Sequence, residues 1–314
     1  MPGDSLVAGE TTLTATELQA RFGIANNLSF EDGPGGLLRA VISGPDAEGV
    51  IYLHGAHVTS WTPCGKAPVL FLSAKSRFEP GVAIRGGVPL IFPWFGPRGG
   101  GAPGPMHGFA RIEEWSLETA QLRPDGAIEL TLVLDPGTVS RELGSDSFRL
   151  RFRAAFGRRL EMALEVHNLS DKPLHFEEAL HTYFAVADIR QVSVAGLEGT
   201  TYVDKTEAGS RKQAPERIRI ARETDQVHLN TTSRCEIDDP AGHRVISVEK
   251  EGSNATVVWN PWIEKNRSMA DMAPDDWQTM LCVETANALD NAVELPGGGV
   301  HIMGTTISVA DDHS

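Results

Sequence analysis

The sequence has 314 residues, a hydrophobic fraction of 41% and a formal net charge of −14. Its length and apolar fraction suit a large globular domain, and we expect residues 1–314 to form a single domain. The negative charge argues against binding to nucleic acids or to anionic membranes, which requires a basic face. A local arginine pocket could still hold a small phosphorylated ligand.

The cysteines and the start of the chain indicate a cellular compartment. Cys64, Cys235 and Cys282 cannot all pair, and none is in a Cys-x-x-Cys motif, so we expect a reduced environment. The first ten residues, MPGDSLVAGE, lack the basic and apolar regions of a secretory signal, and no window approaches 18 uninterrupted apolar residues. We therefore expect a cytoplasmic protein without a membrane span, and we expect it to act as a monomer.

One helix is predicted near the start of the chain, at residues 14–22. Leu18 and Phe22 share one face of this helix, and Thr14 and Glu17 have the spacing of a capping box. Gly23 follows as a residue that ends helices.

The segment at residues 84–111 is rich in Gly and Pro, so it cannot form one regular element. It also carries large apolar side chains, and it delivers Arg85, Arg98, His107 and Arg111. Apolar anchors can fix such a loop, while guanidinium groups match phosphate or carboxylate. The segment suggests a site for an anionic ligand. The alternative is a structural crossover whose arginines pair with nearby acids.

Strands dominate the rest of the sequence. Residues 127–134, 148–156 and 159–166 alternate apolar and polar side chains, a pattern typical of half-buried antiparallel strands. The last two segments are predicted to form a hairpin, with an arginine stripe on its solvated face. Further short strands are predicted at residues 192–194, 244–248, 255–259, 279–284 and 300–308. Residues 203–216 are predicted to be an exposed loop and residues 310–314 a frayed tail.

This distribution of elements predicts the fold class. Many short strands, few helices and long loops indicate an all-β protein, built as a large antiparallel β-sandwich or barrel with minor helix.

Two of the strand segments carry acid–base groups. Alternation in residues 175–186 places four polar or aromatic side chains on one face, which could line a cleft or be a solvated surface: His175, Glu177, His181 and Tyr183. Glu284 ends an otherwise apolar run. Burial would raise its pKa and make it a candidate general base, whereas an exposed strand end is the alternative.

The sequence gives little support for a metal or cofactor. His54 and His57 lie three positions apart, and on a strand such residues point to opposite faces. There is no His-x-His pair, no GxSxG nucleophile motif and no phosphate-binding GxxxxGK[ST] motif. We therefore expect neither a metal ion nor an organic cofactor.

Eight segments, in order along most of the chain, carry a resemblance to a known family. They are HGAHVTSW (54–61), VLFLSAKSRF (69–78), AIRGGVPLIFPWFG (83–96), HGFAR (107–111), EEALHTYF (177–184), YVD (202–204), VVWNPW (257–262) and CVETAN (282–287). Together they resemble the hexose-6-phosphate mutarotases, also called glucose-6-phosphate 1-epimerases, of the aldose 1-epimerase superfamily.

The resemblance implies a galactose-mutarotase-like sandwich (supersandwich) and an isomerase that interconverts the α and β anomers of an aldohexose 6-phosphate, with glucose 6-phosphate as the expected substrate. It places His181 at the acid and Glu284 at the base. The substrate-binding positions that it implies are Arg85, His107, Arg111 and Asp204. Some members have Gln where this chain has Met106, which cannot make the amide hydrogen bonds of that contact.

The chemistry of the residues agrees with this resemblance. Anomers interconvert when a base takes the proton of the anomeric hydroxyl and an acid protonates the ring oxygen, and an ionised Glu and a protonated His can fill these roles. Two alternatives stay open: a non-catalytic sugar-phosphate-binding or sensor domain on the same fold, and a metal-dependent sugar isomerase.

Overall fold

The computed structural model describes residues 13–311. The helices are α1 (Ala15–Phe22), α2 (Thr138–Glu142) and α3 (Trp262–Ser268). The strands in the first half of the chain are β1 (Leu28–Asp32), β2 (Leu38–Ser43), β3 (Ala47–Tyr52), β4 (His57–Pro63), β5 (Leu90–Ile91), β6 (Ser116–Leu122), β7 (Ile128–Leu134), β8 (Phe148–Phe156) and β9 (Leu160–Asn168). The later strands are β10 (Leu174–Phe176), β11 (Glu178–Leu180), β12 (Tyr183–Ala185), β13 (Ser193–Ala195), β14 (Thr201–Asp204), β15 (Ser210–Gln213), β16 (Ile218–Arg219), β17 (Thr224–Leu229), β18 (Cys235–Asp239), β19 (Arg244–Glu251), β20 (Ala255–Asn260), β21 (Met280–Asn287), β22 (Val293–Leu295) and β23 (Val300–Asp311).

Two large sheets enclose the main core. Within the described residues, one sheet has nine strands in the order β16-β13-β18-β19-β23-β9-β8-β7-β6. The other has eight, in the order β15-β14-β17-β20-β21-β11-β5 with β12 beside β21, and β1–β4 form a smaller sheet. Central pairs such as β20 with β21 and β8 with β9 are antiparallel. The predicted all-β sandwich is confirmed, and none of the helices in this part of the chain has the length and apolarity needed to cross a bilayer.

Alternation along β21 allows one strand to serve both the core and a surface cavity. Leu281 and Val283 pack in the core shared by the two large sheets. Cys282 and Glu284 point to the opposite face, because successive side chains of a strand alternate. All eight residues of β21 are buried, so Glu284 lies in the middle of a covered strand and not at the strand end that the sequence indicated.

Several local predictions are confirmed. The Thr14 side chain accepts a hydrogen bond from the Glu17 N–H, and the Glu17 carboxylate accepts one from the Thr14 N–H, so α1 has its capping box. β8 and β9 form the predicted hairpin. The outward-facing Arg151 bonds to Glu118 and Glu165, as expected for a solvated stripe.

Other predictions are wrong or incomplete. The predicted loop at residues 203–216 is largely a hairpin of β14 and β15, whose polar side chains are tolerated because β15 is an edge strand. The predicted single strand at 175–186 is split into β10, β11 and β12. β23 continues through Asp311, so the predicted frayed tail begins too early. Residues 312–314 and the first twelve residues lie outside the described residues.

An ion pair between the buried Glu178 and the partly buried His301 connects the two large sheets. Glu178 of β11 has no solvent exposure, and its Oε1 lies 2.8 Å from Nε2 of His301 on β23. The same oxygen accepts a hydrogen bond of 2.8 Å from Nδ2 of Asn287 on β21. The hydrogen bond to Glu178 raises the pKa of His301 against the opposing effect of burial.

We expect this pair to stabilise the fold more in acid than in alkali. Because folding raises the pKa of His301, its contribution is fully present below the unfolded pKa of about 6.5 and is lost as the pH rises through the folded value. The substitution His301→Gln should therefore lower the free energy of unfolding, measured with urea, more at about pH 6 than at about pH 9. The exposed His175→Gln is the control. Equal losses by His301→Gln at both pH values would contradict the expectation.

Candidate active site

A cavity of about 310 Å³ opens on the face of the eight-stranded sheet that points away from the nine-stranded sheet. Its walls combine strand residues, which have fixed positions, with residues of the glycine-rich loop. The lining residues are Arg85, Phe95, Gly96, Pro97, Met106, His107, Arg111, His181, Tyr183, Lys205, Asp225, Val257, Trp259, Lys265, Met269 and Glu284.

The predicted acid and base meet at this cavity. His181 follows β11, where its N–H donates to the carbonyl of Pro89, and its Nε2 lies 3.4 Å from Oε1 of Glu284. The imidazole stacks on the Tyr183 ring at 4.9 Å, and Trp259 contacts it edge-on at 6.1 Å. His181 is 7% exposed and Glu284 is 1% exposed. His181 and Glu284, which are distant in sequence, are therefore adjacent in space, held in place by their neighbours and almost inaccessible to solvent.

Burial dominates the protonation of this pair. Desolvation raises the pKa of Glu284 well above its ordinary value, and the nearby Asp225 raises it further. Desolvation lowers the pKa of His181 well below its ordinary value, and the charges of Arg111 and Arg85 lower it further. Both shifts favour the uncharged forms. The site as it stands thus differs from the ionised Glu and protonated His that the sequence suggested for the reaction.

Arg85 and Arg111 lie at the same cavity but have different surroundings. Arg85 forms an ion pair of 3.0 Å with Asp271 and donates to the Tyr183 hydroxyl at 2.9 Å. Arg111 is nearly buried, and its Nη2 donates to the carbonyl of Met106 at 2.7 Å. Burial lowers the pKa of Arg111 to about 10, with Arg85 contributing, so Arg111 remains charged at neutral pH. Both guanidinium groups therefore add positive charge to the cavity lining, and Asp271 partly offsets that of Arg85.

His107 presents one defined tautomer to the cavity. The backbone N–H of Gly96 donates to the ring Nδ1 of His107 at 3.0 Å, and the backbone N–H of His107 donates to the Gly96 carbonyl at 2.7 Å. Desolvation, followed by the charge of Arg111, lowers the pKa of His107 well below its usual range, so the ring is neutral. Since Nδ1 accepts, the ring proton is on Nε2, where it can donate to a ligand.

Asp204 is not among the cavity residues. Its carboxylate accepts hydrogen bonds from the Thr206 N–H and hydroxyl, and from Nζ of Lys212 at 2.9 Å. The acid that does line the cavity is Asp225 of β17, which lies opposite Trp259 of β20. Desolvation raises the pKa of Asp225.

The sequence interpretation did not include Asp225, Lys205 or Lys265. A signal for Lys205 was available, because it directly follows the YVD segment. Its ammonium lies 4.8 Å from the centre of the Phe95 ring. Among the described residues, Lys205, Lys265 and Arg111 form no ion pair, in contrast to Arg85, which pairs with Asp271. These three side chains therefore offer positive charge at the cavity that no carboxylate of the protein compensates directly.

Two residues of the predicted polar row lie elsewhere. His175 is exposed on β10. The Glu177 carboxylate accepts backbone N–H groups from Phe95 and Leu289, at 2.8 and 2.7 Å. Glu177 therefore fixes the loop that carries Phe95, and it supports the site without entering it.

A larger groove of about 600 Å³ lies on the nine-stranded sheet. Its charged side chains include Arg123, which is 2.8 Å from Glu161 and 3.7 Å from Glu129. Such paired surface charges have little capacity for acid–base chemistry. The smaller cavity, with its buried His and Glu, is the better candidate active site.

Two of the cavity residues, His181 and Glu284, also form a set of metal-binding atoms with the buried Cys282, which is not in the cavity lining. One ligand atom each from His181, Cys282 and Glu284 lie within 4.8 Å of one another. The spacing of histidines in the sequence could not reveal this group, because its members come from two separate segments.

Comparisons with known sequences agree with the predicted family. The aldose 1-epimerase family matches residues 41–307. A protein of Escherichia coli K12 named "Putative glucose-6-phosphate 1-epimerase" is 38% identical over 251 residues, covering 79% of this chain and 82% of the relative. A protein of the same name from Cenchrus ciliaris is 36% identical over 275 residues, covering 84% and 82%.

Solved structures share the architecture. A structure described as a putative mutarotase from Salmonella typhimurium has a TM-score of 0.86 and 33% identity, covering 92% of this chain and 96% of the other. A galactose 1-epimerase from Lactobacillus acidophilus has a TM-score of 0.67 at 13% identity, covering 91% and 99%, and it shows the shared fold alone. With a family match over most of the chain and relatives above 30% identity, this protein belongs to the aldose 1-epimerase family.

Proposed function

We propose that this protein interconverts the α and β anomers of an aldohexose 6-phosphate, with glucose 6-phosphate as the first candidate. The observation that carries the proposal is the buried His181–Glu284 pair, 3.4 Å apart, at a cavity that four cationic side chains also line. The relatives of 36–38% identity have names that support the same substrate.

The reaction requires one proton to be given and one to be taken at nearby oxygens. In the direction of ring opening, Glu284 takes the proton of the anomeric hydroxyl while His181 protonates the ring oxygen, and the C1–O5 bond breaks. The open aldehyde rotates about C1–C2 and closes from the other face. The two residues exchange roles during closure, so the pair returns to its starting state without a redox step.

The charge of the substrate phosphate can give His181 and Glu284 the protonation states that this reaction needs. The cations Arg111 and Arg85 are among the causes that lower the pKa of His181. A bound phosphate dianion would offset these charges and favour a proton on His181, leaving Glu284 as the ionised base. Phosphate binding would then supply affinity and also the protonation state that the chemistry needs.

The remaining cavity residues have roles in positioning the sugar. Nε2–H of His107 can donate to a sugar oxygen, and Asp225 can accept from a hydroxyl. Trp259 offers an aromatic surface to the ring. Met106, which is 52% exposed at the cavity, supplies only apolar contact where some relatives have an amide.

Loss of either catalytic group should slow anomer exchange by about 10²–10⁴-fold, the usual contribution of a general acid or base. We expect this for His181→Asn and Glu284→Gln separately, measured by exchange NMR on glucose 6-phosphate. The matched controls are the exposed His243→Asn, at a left-handed position that Asn tolerates, and the exposed Glu264→Gln. Wild-type rates in both cavity variants would refute the assignment. Binding of the sugar phosphate by a wild-type protein that never accelerates exchange would favour the non-catalytic alternative.

Removal of one cation should reduce the preference for the phosphorylated sugar. A charge-assisted contact contributes about 1.5–3 kcal/mol, so the kcat/KM for glucose 6-phosphate should fall about 10–100-fold, and that for glucose much less. The variants are Arg85→Ala, Arg111→Ala, Lys205→Ala and Lys265→Ala. Arg98→Ala is the control, because Arg98 bonds to the carbonyls of Pro103 and Leu143 outside the cavity lining. Equal losses on both sugars would assign these cations to the fold.

Activity should not depend on a metal ion, since ring opening needs only proton transfer between groups already in the cavity. Prolonged chelation followed by desalting should leave the exchange rate at least as high as before. A loss of rate that one added metal restores would favour the metal-dependent isomerase.

A further inference from the structure

Three side chains of different chemistry lie close together at the cavity, which two of them, His181 and Glu284, also line. Cys282 and Glu284 are two positions apart on β21 and point to the same face. His181 approaches from the adjacent chain between β11 and β12, which both pair with β21. One ligand atom from each of the three residues lies within 4.8 Å of the others, and all three residues are buried.

Their atoms match the ligands that zinc prefers. Zinc binds imidazole nitrogen, thiolate sulphur and carboxylate oxygen in tetrahedral sites, in which neighbouring ligand atoms are about 3.3–3.7 Å apart. The 3.4 Å between Nε2 of His181 and Oε1 of Glu284 already lies in that range. Magnesium and calcium prefer sites made of oxygen alone, so the thiol of Cys282 selects against them.

The polar atoms of this group have unused bonding capacity. Among the described residues, neither carboxylate oxygen of Glu284 has a hydrogen-bond partner. Buried polar atoms are normally paired, and a metal ion would give this carboxylate a partner. His181 and Glu284 also line the cavity, which gives an ion a route of entry and leaves space for a fourth ligand, such as water.

We propose that His181, Cys282 and Glu284 bind one Zn²⁺ ion, and that this ion and the sugar exclude each other. On binding, the Cys282 thiol and the uncharged Glu284 carboxyl each release a proton to solvent, and the sulphur, the imidazole nitrogen and the carboxylate donate to the metal. The ion then occupies the two groups that take and give protons, so it acts as an inhibitor and not as a cofactor. The exclusion of the sugar rests on the proposed function, whereas the binding of zinc does not.

The test uses metal-free full-length protein in a non-coordinating buffer. Competition with a chromophoric chelator should show one equivalent of Zn²⁺ bound by the wild type and by Cys64→Ser, which removes the exposed thiol. Cys282→Ser should bind at least about 10-fold more weakly, since even outer partners of metal ligands contribute 10–100-fold. Unchanged affinity in Cys282→Ser, or loss of the site in Cys64→Ser, would overturn the proposal.

An absorption spectrum of the wild-type protein with bound Co²⁺ tests the site without Cys282→Ser, a variant that could fold poorly. Co²⁺ in the same site should give a thiolate-to-metal band in the near ultraviolet and visible bands of tetrahedral intensity, both abolished by Zn²⁺. The absence of the thiolate band would overturn the site.

Zinc should also raise the glucose 6-phosphate concentration needed for half-maximal exchange, and Cys282→Ser should resist this effect. Zinc bound without any effect on sugar binding or exchange would overturn the exclusion. If metal-free protein showed no anomer exchange, the proposed function would fail while the titration and the spectrum still decided the zinc site.

Discussion

Desolvation of one imidazole and one carboxylate is the constraint on which the rest of this site depends. Side chains that are 7% and 1% exposed cannot both be charged without compensation, and burial pushes the pKa of each toward its neutral form. A pair of this kind holds one proton in total, whichever member carries it. A reaction that takes one proton while it gives another needs a pair that holds one titratable proton. In water the imidazole and the carboxyl group would titrate independently, and the number of protons that they hold together would change with pH.

The sandwich supplies this environment through the period of its strands. β21 places Leu281 and Val283 in the core between the large sheets and turns Cys282 and Glu284 to the other face. β20 and β11 cover its two edges, so the strand cannot shift without breaking hydrogen bonds on both sides. The position of Glu284 is therefore fixed by the packing of its apolar neighbours on the strand. The glycine-rich loop then closes over that face, held in part by the bonds that Glu177 makes to backbone N–H groups.

The features that the sequence revealed are those with a local signature. A capping box, period-two alternation and a Gly/Pro-rich loop depend on neighbours along the chain, and α1, the β8–β9 hairpin and the loop carrying Arg85 and Arg111 were predicted from them. The four strands of β1–β4 were not predicted, and the edge hairpin β14–β15 was predicted as a loop because polar edge strands lack an apolar face. Asp225 and the partnership of His181 with Cys282 depend on strand register, which no short window contains. The resemblance predicted His181 and Glu284 as acid and base, and these two residues do lie together at the cavity. It also pointed to Asp204, whose carboxylate is bonded to Lys212 and is not in the cavity lining.

Several buried polar atoms of the site have no hydrogen-bond partner within the protein. In the described chain, Nε of Arg111, Nδ1 of His181 and both carboxylate oxygens of Glu284 are buried without hydrogen-bond partners. A buried polar group that lacks a partner generally costs about 1–3 kcal/mol, and a bound ligand that pairs with it removes that cost. These atoms break no hydrogen bond within the protein when a ligand binds, because the ligand is their first partner. The same property lets the site bind any ligand that offers matching atoms, and both proposed ligands, the sugar phosphate and the zinc ion, would use His181 and Glu284. Occupancy of this cavity is therefore a competition for the same unpaired atoms, and the rigid strands around it determine which atoms those are.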